Sequence, residues 1–268
     1  MENVLIDIKK SKRVVVKVGT STLTYDNGRL NLRRIEKLCR VLSDLRGSGK
    51  DIILVSSGAI GAGVGRLGLK KRPTVTREKQ AAAAVGQCEL MNIYSRLFGE
   101  YGQNVAQILI TKDVLDDSHK KQNAQNTFET LLTWGVIPIV NENDTISIDE
   151  LRPSVFGEND SLSAHVAKLV QADSLVMLSD IDGLYDANPA EDLNAKLIHY
   201  VTDITDEIYA FAGGSGTQRG TGGMVTKLDA AKVACAAGVN MVITNGENPG
   251  ILYEIFEGHH RGTVFIKK

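Results

Sequence analysis

Short runs of β-branched residues alternate along this chain with longer segments in which apolar residues recur at helical spacing. The first run, residues 14–18, reads Val-Val-Val-Lys-Val. It has apolar residues at both odd and even positions, which is typical of a strand covered by helices on both faces. This alternation predicts βα units around a mostly parallel sheet, an α/β fold built as a three-layer α/β/α sandwich. The pattern predicts strands at residues 13–18, 51–56, 105–110, 136–140, 174–178 and 240–243, and helices at residues 32–46, 78–101, 124–134, 162–170 and 224–237.

Two sections interrupt the alternation. The polar, mixed stretch at residues 144–157 predicts a β-hairpin that projects from the edge of the sheet. Residues 212–223 contain six glycines and are expected either to order around a ligand or to stay mobile. No linker, repeat or low-complexity tail is visible, so the 268 residues are predicted to form a single domain.

Charge and cysteine content argue against several classes of protein function. With 31 basic and 32 acidic residues the net charge is −1, which gives no general attraction to nucleic acid or to acidic membranes. Cys39, Cys88 and Cys235 are far apart, so reduced thiols in a cytosol are favoured over a zinc or redox site. The chain shows neither a signal-peptide pattern nor an apolar stretch that could span a bilayer, and a cytoplasmic location is predicted.

Lys17 is the first candidate for chemistry, because it interrupts an otherwise apolar strand. A lysine that alternates with valines can be a solvated residue on an exposed face. Here the neighbours are apolar at both parities, and an unpaired ammonium in a strand covered on both sides would be costly. The pattern therefore favours a lysine at the strand's carboxyl end facing an anion, where open α/β sheets bind ligands.

Lys227 is the second candidate, at the end of the segment 221–227, Thr-Gly-Gly-Met-Val-Thr-Lys. A glycine turn at the start of a helix directs backbone amides towards an anion. A Walker-type P-loop is absent, because the chain's Gly-Lys pair, Gly49 and Lys50, is followed by Asp51. If the protein handles a nucleotide, folding must bring Lys17 and Lys227 together on its phosphates.

Polar side chains also follow other predicted strands at their carboxyl ends. They are Ser57 with Gly58, the Asn-Glu-Asn-Asp segment 141–144, and Ser179 with Asp180. Asn159 with Asp160 comes across the proposed hairpin from segment 141–144 and strengthens the case for that segment. Asn159 or Asp160 can simply be the N-cap of the next helix, and this role is compatible with a catalytic one. Glycines at 63, 65 and 68 match Gly-x-Gly-x-x-Gly, but they begin too far beyond the strand and lack the acidic residue of a dinucleotide site.

Taken in chain order, these motifs resemble those of the amino acid kinase family over nearly the whole chain. The resemblance implies the amino acid kinase fold and phosphorylation of the side-chain carboxylate of L-glutamate by ATP with Mg²⁺, the first step towards proline. It further implies feedback inhibition by proline near the glutamate site and a homodimer or homotetramer. Many family members carry a C-terminal PUA domain, whereas this sequence ends at Lys268, so no such domain is expected.

The resemblance also assigns roles to individual residues. It gives catalysis to Lys17, Asp160 and Lys227, and glutamate binding to Ser57, Asp144 and Asn159. It gives ATP binding to Lys17, Ser179, Asp180, Thr221, Gly222, Gly223, Met224, Val225, Thr226 and Lys227, and it names no protein ligand for a metal ion. A carboxylate nucleophile is already ionised at pH 7 and needs no general base, so positioning and charge would supply the catalysis. By charge, Asp144 is the natural partner of the α-ammonium group.

Three other functions stay open at this point. A kinase of the same fold could act on N-acetylglutamate, aspartate, carbamate or UMP, although N-acetylglutamate cannot form an ion pair with Asp144. A non-catalytic amino-acid or nucleotide sensor would have no need for Lys17, Asp160 and Lys227 together. A nicotinamide dehydrogenase has only the misplaced glycines in its favour.

Overall fold

The computed structural model describes residues 2–25, 29–146, 158–189, 191–212 and 223–268. Within these ranges the centre of the protein is an eight-stranded sheet. Its strands are β1 (Arg13–Val18), β2 (Asp51–Ser56), β3 (Val105–Ile110), β4 (Ile137–Glu142), β5 (Ser174–Ser179), β6 (Tyr200–Val201), β7 (Asn240–Asn245) and β8 (Thr263–Phe265). They lie in the order β3-β4-β2-β1-β5-β7-β8-β6. All neighbouring pairs are parallel except β7 and β8, which confirms the mostly parallel sheet.

Helices cover both faces of this sheet. In the described part of the chain they are α1 (Glu2–Lys10), α2 (Thr20–Leu23), α3 (Leu32–Gly47), α4 (Ala59–Leu67), α5 (Thr76–Gly99), α6 (Lys112–Asp116), α7 (Ser118–Thr133), α8 (Glu158–Leu169), α9 (Asp206–Phe211), α10 (Met224–Ala236) and α11 (Ile251–Glu257). None of the helices in these ranges combines the length and the apolar character needed to cross a bilayer.

The central strand β1 separates two hydrophobic cores. Val14, Val16 and Val18 belong to a core formed with α1, α3, α4, α5 and α11. Val15 belongs to the core on the other face, formed with α7, α8 and α10. Because side chains alternate between the faces of a strand, Lys17 shares the face of Val15 and projects towards α8 and α10. The predicted three-layer α/β/α arrangement is confirmed.

Two glycines allow α4 and α5 to cross at very short range. A Cβ atom on Gly86 of α5 would lie 1.7 Å from the carbonyl oxygen of Ala59, and one on Gly63 of α4 would lie 1.9 Å from that of Ala82. No side chain fits at either position, since the obstructing atoms are backbone. The first turn of α4, which directly follows β2, is therefore held against α5.

Several boundaries differ from the prediction. The helix predicted at residues 124–134 begins at Ser118, because the Asp117 side chain caps it by accepting from the Lys120 amide at 2.8 Å. The helix predicted from residue 162 begins at Glu158. The short helices α1, α2, α6, α9 and α11 were not predicted. Of the predicted hairpin, residues 147–157 lie outside the described residues, and the one-domain organisation stays a prediction.

Candidate active site

Three charged side chains from three different elements meet at the carboxyl end of β1. Lys17 Nζ lies 2.5 Å from Asp160 Oδ1, and Lys227 Nζ lies 3.2 Å from Asp160 Oδ2. All three are buried, with 3%, 5% and 0% of Lys17, Lys227 and Asp160 exposed. The structure thus brings the two lysines, which are remote in sequence, together on one carboxylate as predicted.

The fold explains why these three residues meet. Lys17 is the fifth residue of β1 and projects towards α8 and α10. Asp160 lies in the first turn of α8, where the helix dipole favours a carboxylate. Lys227 lies in the first turn of α10, beside Thr226, whose hydroxyl donates to Asp160 Oδ2 at 3.0 Å. Since α8 begins at Glu158, Asn159 and Asp160 lie inside its first turn, and the N-cap interpretation of either residue is wrong.

The electrostatics of this cluster favour an anion. Burial raises the pKa of Asp160, but the charges of Lys17 and Lys227 outweigh burial and lower the pKa to about 2. Asp160 is therefore ionised at neutral pH and is bonded to both ammonium groups. Buried ammonium groups are stabilised by anions, and the negatively charged oxygens of a phosphate group are suitable partners for them.

A cavity of about 320 Å³ adjoins the Lys17–Asp160–Lys227 cluster. The two are connected through α8, where Asn159 lines the cavity and the next residue, Asp160, belongs to the cluster. Its wall contains Ser57, Asp144 and Asn159, the three residues predicted to bind glutamate. The other lining residues are Thr20, Gly58, Ala59, Ile60, Gly61, Arg72, Pro73, Thr74, Lys79 and Asn141. Among the described residues, its wall combines one carboxylate, two cationic side chains, hydroxyl and amide groups, and the first turn of α4.

Local structure places each of these residues on the wall. Ser57 follows β2, and its amide donates to Val18 O at 3.1 Å, which extends the β1–β2 ladder. Gly58 has φ +98°, a left-handed conformation that glycine adopts readily, and it begins α4. Asp144 is buried in the turn that follows β4. Asn159 donates from Nδ2 to Ser57 Oγ at 3.0 Å, which ties α8 to the end of β2.

The residues predicted to bind ATP lie along the same edge of the sheet. Ser179 is the last residue of β5, which pairs with β1, and its carbonyl accepts from the Gly246 amide at 2.7 Å. Asp180 follows it and is exposed. Gly223 is the N-cap of α10, and Met224, Val225 and Thr226 begin that helix. Thr221 and Gly222 lie outside the described residues.

The side chains near Lys17 and Lys227 suit a metal ion that enters the site already bound to phosphate groups. Across the described ranges no group of three or more His, Cys, Asp or Glu side chains could hold a metal. Mg²⁺ in kinases usually keeps several waters and takes one or two carboxylates together with substrate phosphates. A dedicated protein cage is therefore unnecessary for an ion carried by ATP.

Comparison with known proteins decides the family. The model of the amino acid kinase family matches residues 12–245. A glutamate 5-kinase from Clostridium perfringens (strain 13 / Type A) is 60% identical to the chain, over 97% of this chain and 97% of the relative. The chain belongs to the amino acid kinase family. A glutamate 5-kinase from Listeria innocua serovar 6a is 57% identical, over 97% of this chain and 95% of the relative.

A solved structure supports the fold of this amino acid kinase. The crystal structure of UMP kinase from Bacillus anthracis superposes with a TM-score of 0.63 at 16% identity, covering 96% of this chain and 97% of that one. At this identity the likeness concerns the fold alone. The predicted enzyme class is confirmed by the family and by its relatives: the chain is a phosphotransferase that uses ATP.

Some residues of the amino acid kinase site were not predicted from the sequence. Arg72 precedes α5, and Lys79 and Gln87 belong to it, far from any strand end. A strand-end signal could not reveal them, because they depend on how α5 packs against α4. Asn141 belongs to a segment that the sequence did indicate, but its contacts were not predicted.

Proposed function

We propose that this chain transfers the γ-phosphoryl group of ATP to the side-chain carboxylate of L-glutamate, giving L-glutamyl 5-phosphate on the route to proline. Its relatives from Clostridium perfringens and Listeria innocua are named for this activity. The observation that carries the proposal is the buried Lys17–Asp160–Lys227 cluster beside a cavity of about 320 Å³. The cluster suits phosphate, and the cavity suits a small zwitterion with an additional carboxylate.

In the reaction, an oxygen of the glutamate carboxylate forms a bond to the γ-phosphorus, and the bond from that phosphorus to the β,γ-bridging oxygen breaks. ADP leaves with the bonding electron pair, and no proton needs to be transferred. Catalysis of this kind consists almost entirely of positioning and of stabilising charge. We assign that task to Lys17 and Lys227, which Asp160 holds in place. Mg²⁺ bound to the phosphates would neutralise further charge.

Ser179, Asp180 and the segment 221–227 are proposed to bind the nucleotide. Ser179 ends the strand next to β1, so it lies along the edge that Lys17 occupies. Within the described residues, no side chain caps the first turn of α10 at Gly223. Backbone amides at a helix N-terminus bind phosphate oxygens well, which supports phosphate binding there.

The cavity residues are proposed to bind glutamate. Asp144 would pair with the α-ammonium group, since it is the carboxylate that the described residues place on the cavity wall. Lys79 and Arg72 would attract the α-carboxylate. Ser57 and Asn159 would orient the substrate at the boundary with the lysine cluster. The substrate's side-chain carboxylate would then point towards Lys17.

Three further assignments accompany this function. Proline carries the same α-carboxylate and a cationic amine, so a cavity built for these groups supports feedback inhibition by proline. A cytoplasmic location is supported by Cys39, Cys88 and Cys235, which are all unpaired. A homodimer or homotetramer stays a prediction from the family resemblance.

The test is incubation of the purified protein with ATP, Mg²⁺ and hydroxylamine, which converts an acyl phosphate into a coloured hydroxamate. Separate reactions contain glutamate, N-acetylglutamate or aspartate, and ADP release is followed in parallel, also with UMP. We expect hydroxamate and ADP with glutamate in large excess over the others. A stronger signal with N-acetylglutamate, aspartate or UMP would replace the proposed substrate, and absence of all turnover would reject the proposed function.

A further inference from the structure

A chain of buried side-chain amides joins α5, β4 and α8 behind the cavity wall. Asn141 donates from Nδ2 to Gln87 Oε1 at 2.9 Å, and Asn159 donates from Nδ2 to Asn141 Oδ1 at 2.8 Å. Gln87, Asn141 and Asn159 are at most 9% exposed. Water therefore cannot readily replace these partners, and each amide is restricted to the orientation that satisfies its neighbours.

Two backbone groups fix the direction of every bond in this chain. The Glu142 amide can only donate, and it donates to Asn141 Oδ1 at 2.9 Å. The Ser56 carbonyl can only accept, and it accepts from Asn159 Nδ2 at 2.9 Å. Asn141 must therefore present its nitrogen to Gln87, and Asn159 must present its nitrogen towards the end of β2.

The direction extends to Ser57, which lines the cavity. Asn159 Nδ2 lies 3.0 Å from Ser57 Oγ, and an amide nitrogen cannot accept a hydrogen bond. Asn159 Nδ2 has two protons for three acceptors, so the proton directed towards the end of β2 is shared between the Ser56 carbonyl and Ser57 Oγ. The Ser57 oxygen is the acceptor in that contact, which leaves its own proton to be donated elsewhere. A carboxylate oxygen in the cavity is the matching partner, because an ionised carboxylate can only accept.

We propose that Gln87 and Asn141 are positioning residues that act through Asn159 to orient Ser57 as a hydrogen-bond donor to a substrate carboxylate. The bond from the Glu142 amide leaves the Asn141 nitrogen facing Gln87, which supplies its acceptor. Without that acceptor the nitrogen is left buried and unsatisfied, so the Asn141 side chain shifts, its contact with Asn159 weakens, and Asn159 holds Ser57 less firmly. The inference rests on the proposed function only for the identity of the ligand as glutamate.

The test compares Gln87→Met with Gln87→Glu. Both replacements are close to glutamine in size, but only the glutamate side chain keeps an oxygen that can accept from Asn141. We expect Gln87→Met to weaken glutamate binding about tenfold, as loss of a hydrogen bond to a charged group does, with the KM for ATP unchanged. The affinity of Gln87→Glu for glutamate should stay within about twofold of that of the parent protein, a much smaller change than the loss expected for Gln87→Met. Gln80→Met, on the same helix and outside the amide chain, is the matched control.

A double-mutant cycle separates this role from a purely structural one. If Gln87 acts through Ser57, Gln87→Met should have little additional effect in a Ser57→Ala background. Additive effects, or equal losses in Gln87→Met and Gln87→Glu, would overturn the inference. Glutamate affinity is measured by calorimetry without ATP, so the result does not depend on turnover; failure of the kinase assay alone would reject only the proposed function.

A crystal structure of the parent protein with glutamate gives a second test that needs no variant. We expect a carboxylate oxygen of the ligand within hydrogen-bond distance of Ser57 Oγ, with Asn159 Nδ2 still facing Ser57. A ligand carboxylate far from Ser57, or a donor group of the ligand placed against Ser57 Oγ, would contradict the assignment. Absence of any glutamate binding would overturn it as well.

Discussion

Asp160 bridges Lys17 and Lys227, with one carboxylate oxygen 2.5 Å from the first ammonium nitrogen and the other 3.2 Å from the second. The bridge holds two like charges next to each other in a region that excludes water. In the proposed function, this relationship prepares the two ammonium groups for a phosphoryl group whose negative charge is redistributed during transfer.

Removing either ammonium should impair turnover far more than folding. For Lys17→Ala and Lys227→Ala we expect the kcat for glutamate phosphorylation to fall on the order of 10²- to 10³-fold, as for other preorganised charge donors. Steady-state kinetics with both substrates measures this loss. Lys168→Ala, at an exposed position of α8, is the control and should keep parental activity. A fall in kcat of less than about fivefold would be far short of the expected effect, and the lysine replaced in that variant would no longer be assigned to catalysis.

Asp160 should contribute to stability in a defined pH window. Its pKa lies at about 2, below the ordinary value of 3.8, so the folded state favours the ionised carboxylate. That contribution is complete above the ordinary value and is lost as the pH falls from 3.8 towards 2. Urea unfolding of Asp160→Asn and the parent protein, repeated across this range, should give free energies that converge at low pH. A constant difference between the two proteins at every pH would contradict the shift.

Asp144 should affect one substrate only. With the α-ammonium group unpaired, we expect Asp144→Ala to raise the KM for glutamate roughly tenfold or more while the KM for ATP stays near its parental value. Initial rates over a grid of both concentrations separate the two constants. Equal increases in both would mean that Asp144 supports the site as a whole, and the ion-pair assignment would be wrong.

Lys79 should contribute to binding of the α-carboxylate. Lys79→Met retains the length of the side chain and removes its charge, so we expect weaker glutamate binding with the kcat largely preserved. The experiment is a titration of glutamate at saturating ATP. Lys70→Met, at an exposed position in the segment before α5, serves as the matched control. Unchanged glutamate affinity in Lys79→Met would assign the α-carboxylate to Arg72 or to the amides of α4.

The close crossing of α4 and α5 should be sensitive to a single methyl group. In Gly86→Ala the new Cβ would lie 1.7 Å from the Ala59 carbonyl, so α4 must shift, at a cost of roughly 1–3 kcal/mol in unfolding free energy. Because Ala59 lines the cavity, the KM for glutamate should rise as well. Thermal unfolding and kinetics measure both effects. Gly99→Ala, on the same helix, meets no atom within 4 Å, so it should leave the KM for glutamate unchanged and should not lower the unfolding free energy.

The sequence predicted those parts of the structure whose physical causes are local. The strands predicted at residues 13–18 and 51–56 have the same bounds in the structure. Their sequences identify them, because a short run that is apolar at both odd and even positions is typical of a strand covered by helices on both faces. Lys17 could be assigned to the site by the same reasoning, since a charge in such a strand needs a counter-charge. The resemblance then grouped Lys17 with Asp160, and the structure places Lys17 Nζ 2.5 Å from Asp160 Oδ1.

Other parts depend on packing that a single sequence does not reveal. The start of α8 was placed at residue 162 rather than at Glu158, because its first turn is polar and shows no apolar period. Lys79 and Gln87 lie on α5, Lys79 on the cavity wall and Gln87 in contact with Asn141, and both positions depend on how α5 packs against α4. The helix α1 was missed, although Val4 and Ile8 are buried in the core.

Asn159 and Asp160 are consecutive in the first turn of α8, about 100° apart around the helix axis at 3.6 residues per turn. Asn159 lines the cavity proposed for glutamate while Asp160 holds the two lysines, so a tilt of that turn would disturb both sites together. Altered substrate preference should therefore arise by exchange of residues at the turn after β4 or along α4 and α5. Protein engineering of substrate preference should therefore vary residues in the turn after β4, in α4 and in α5, and should keep Asn159 and Asp160 unchanged.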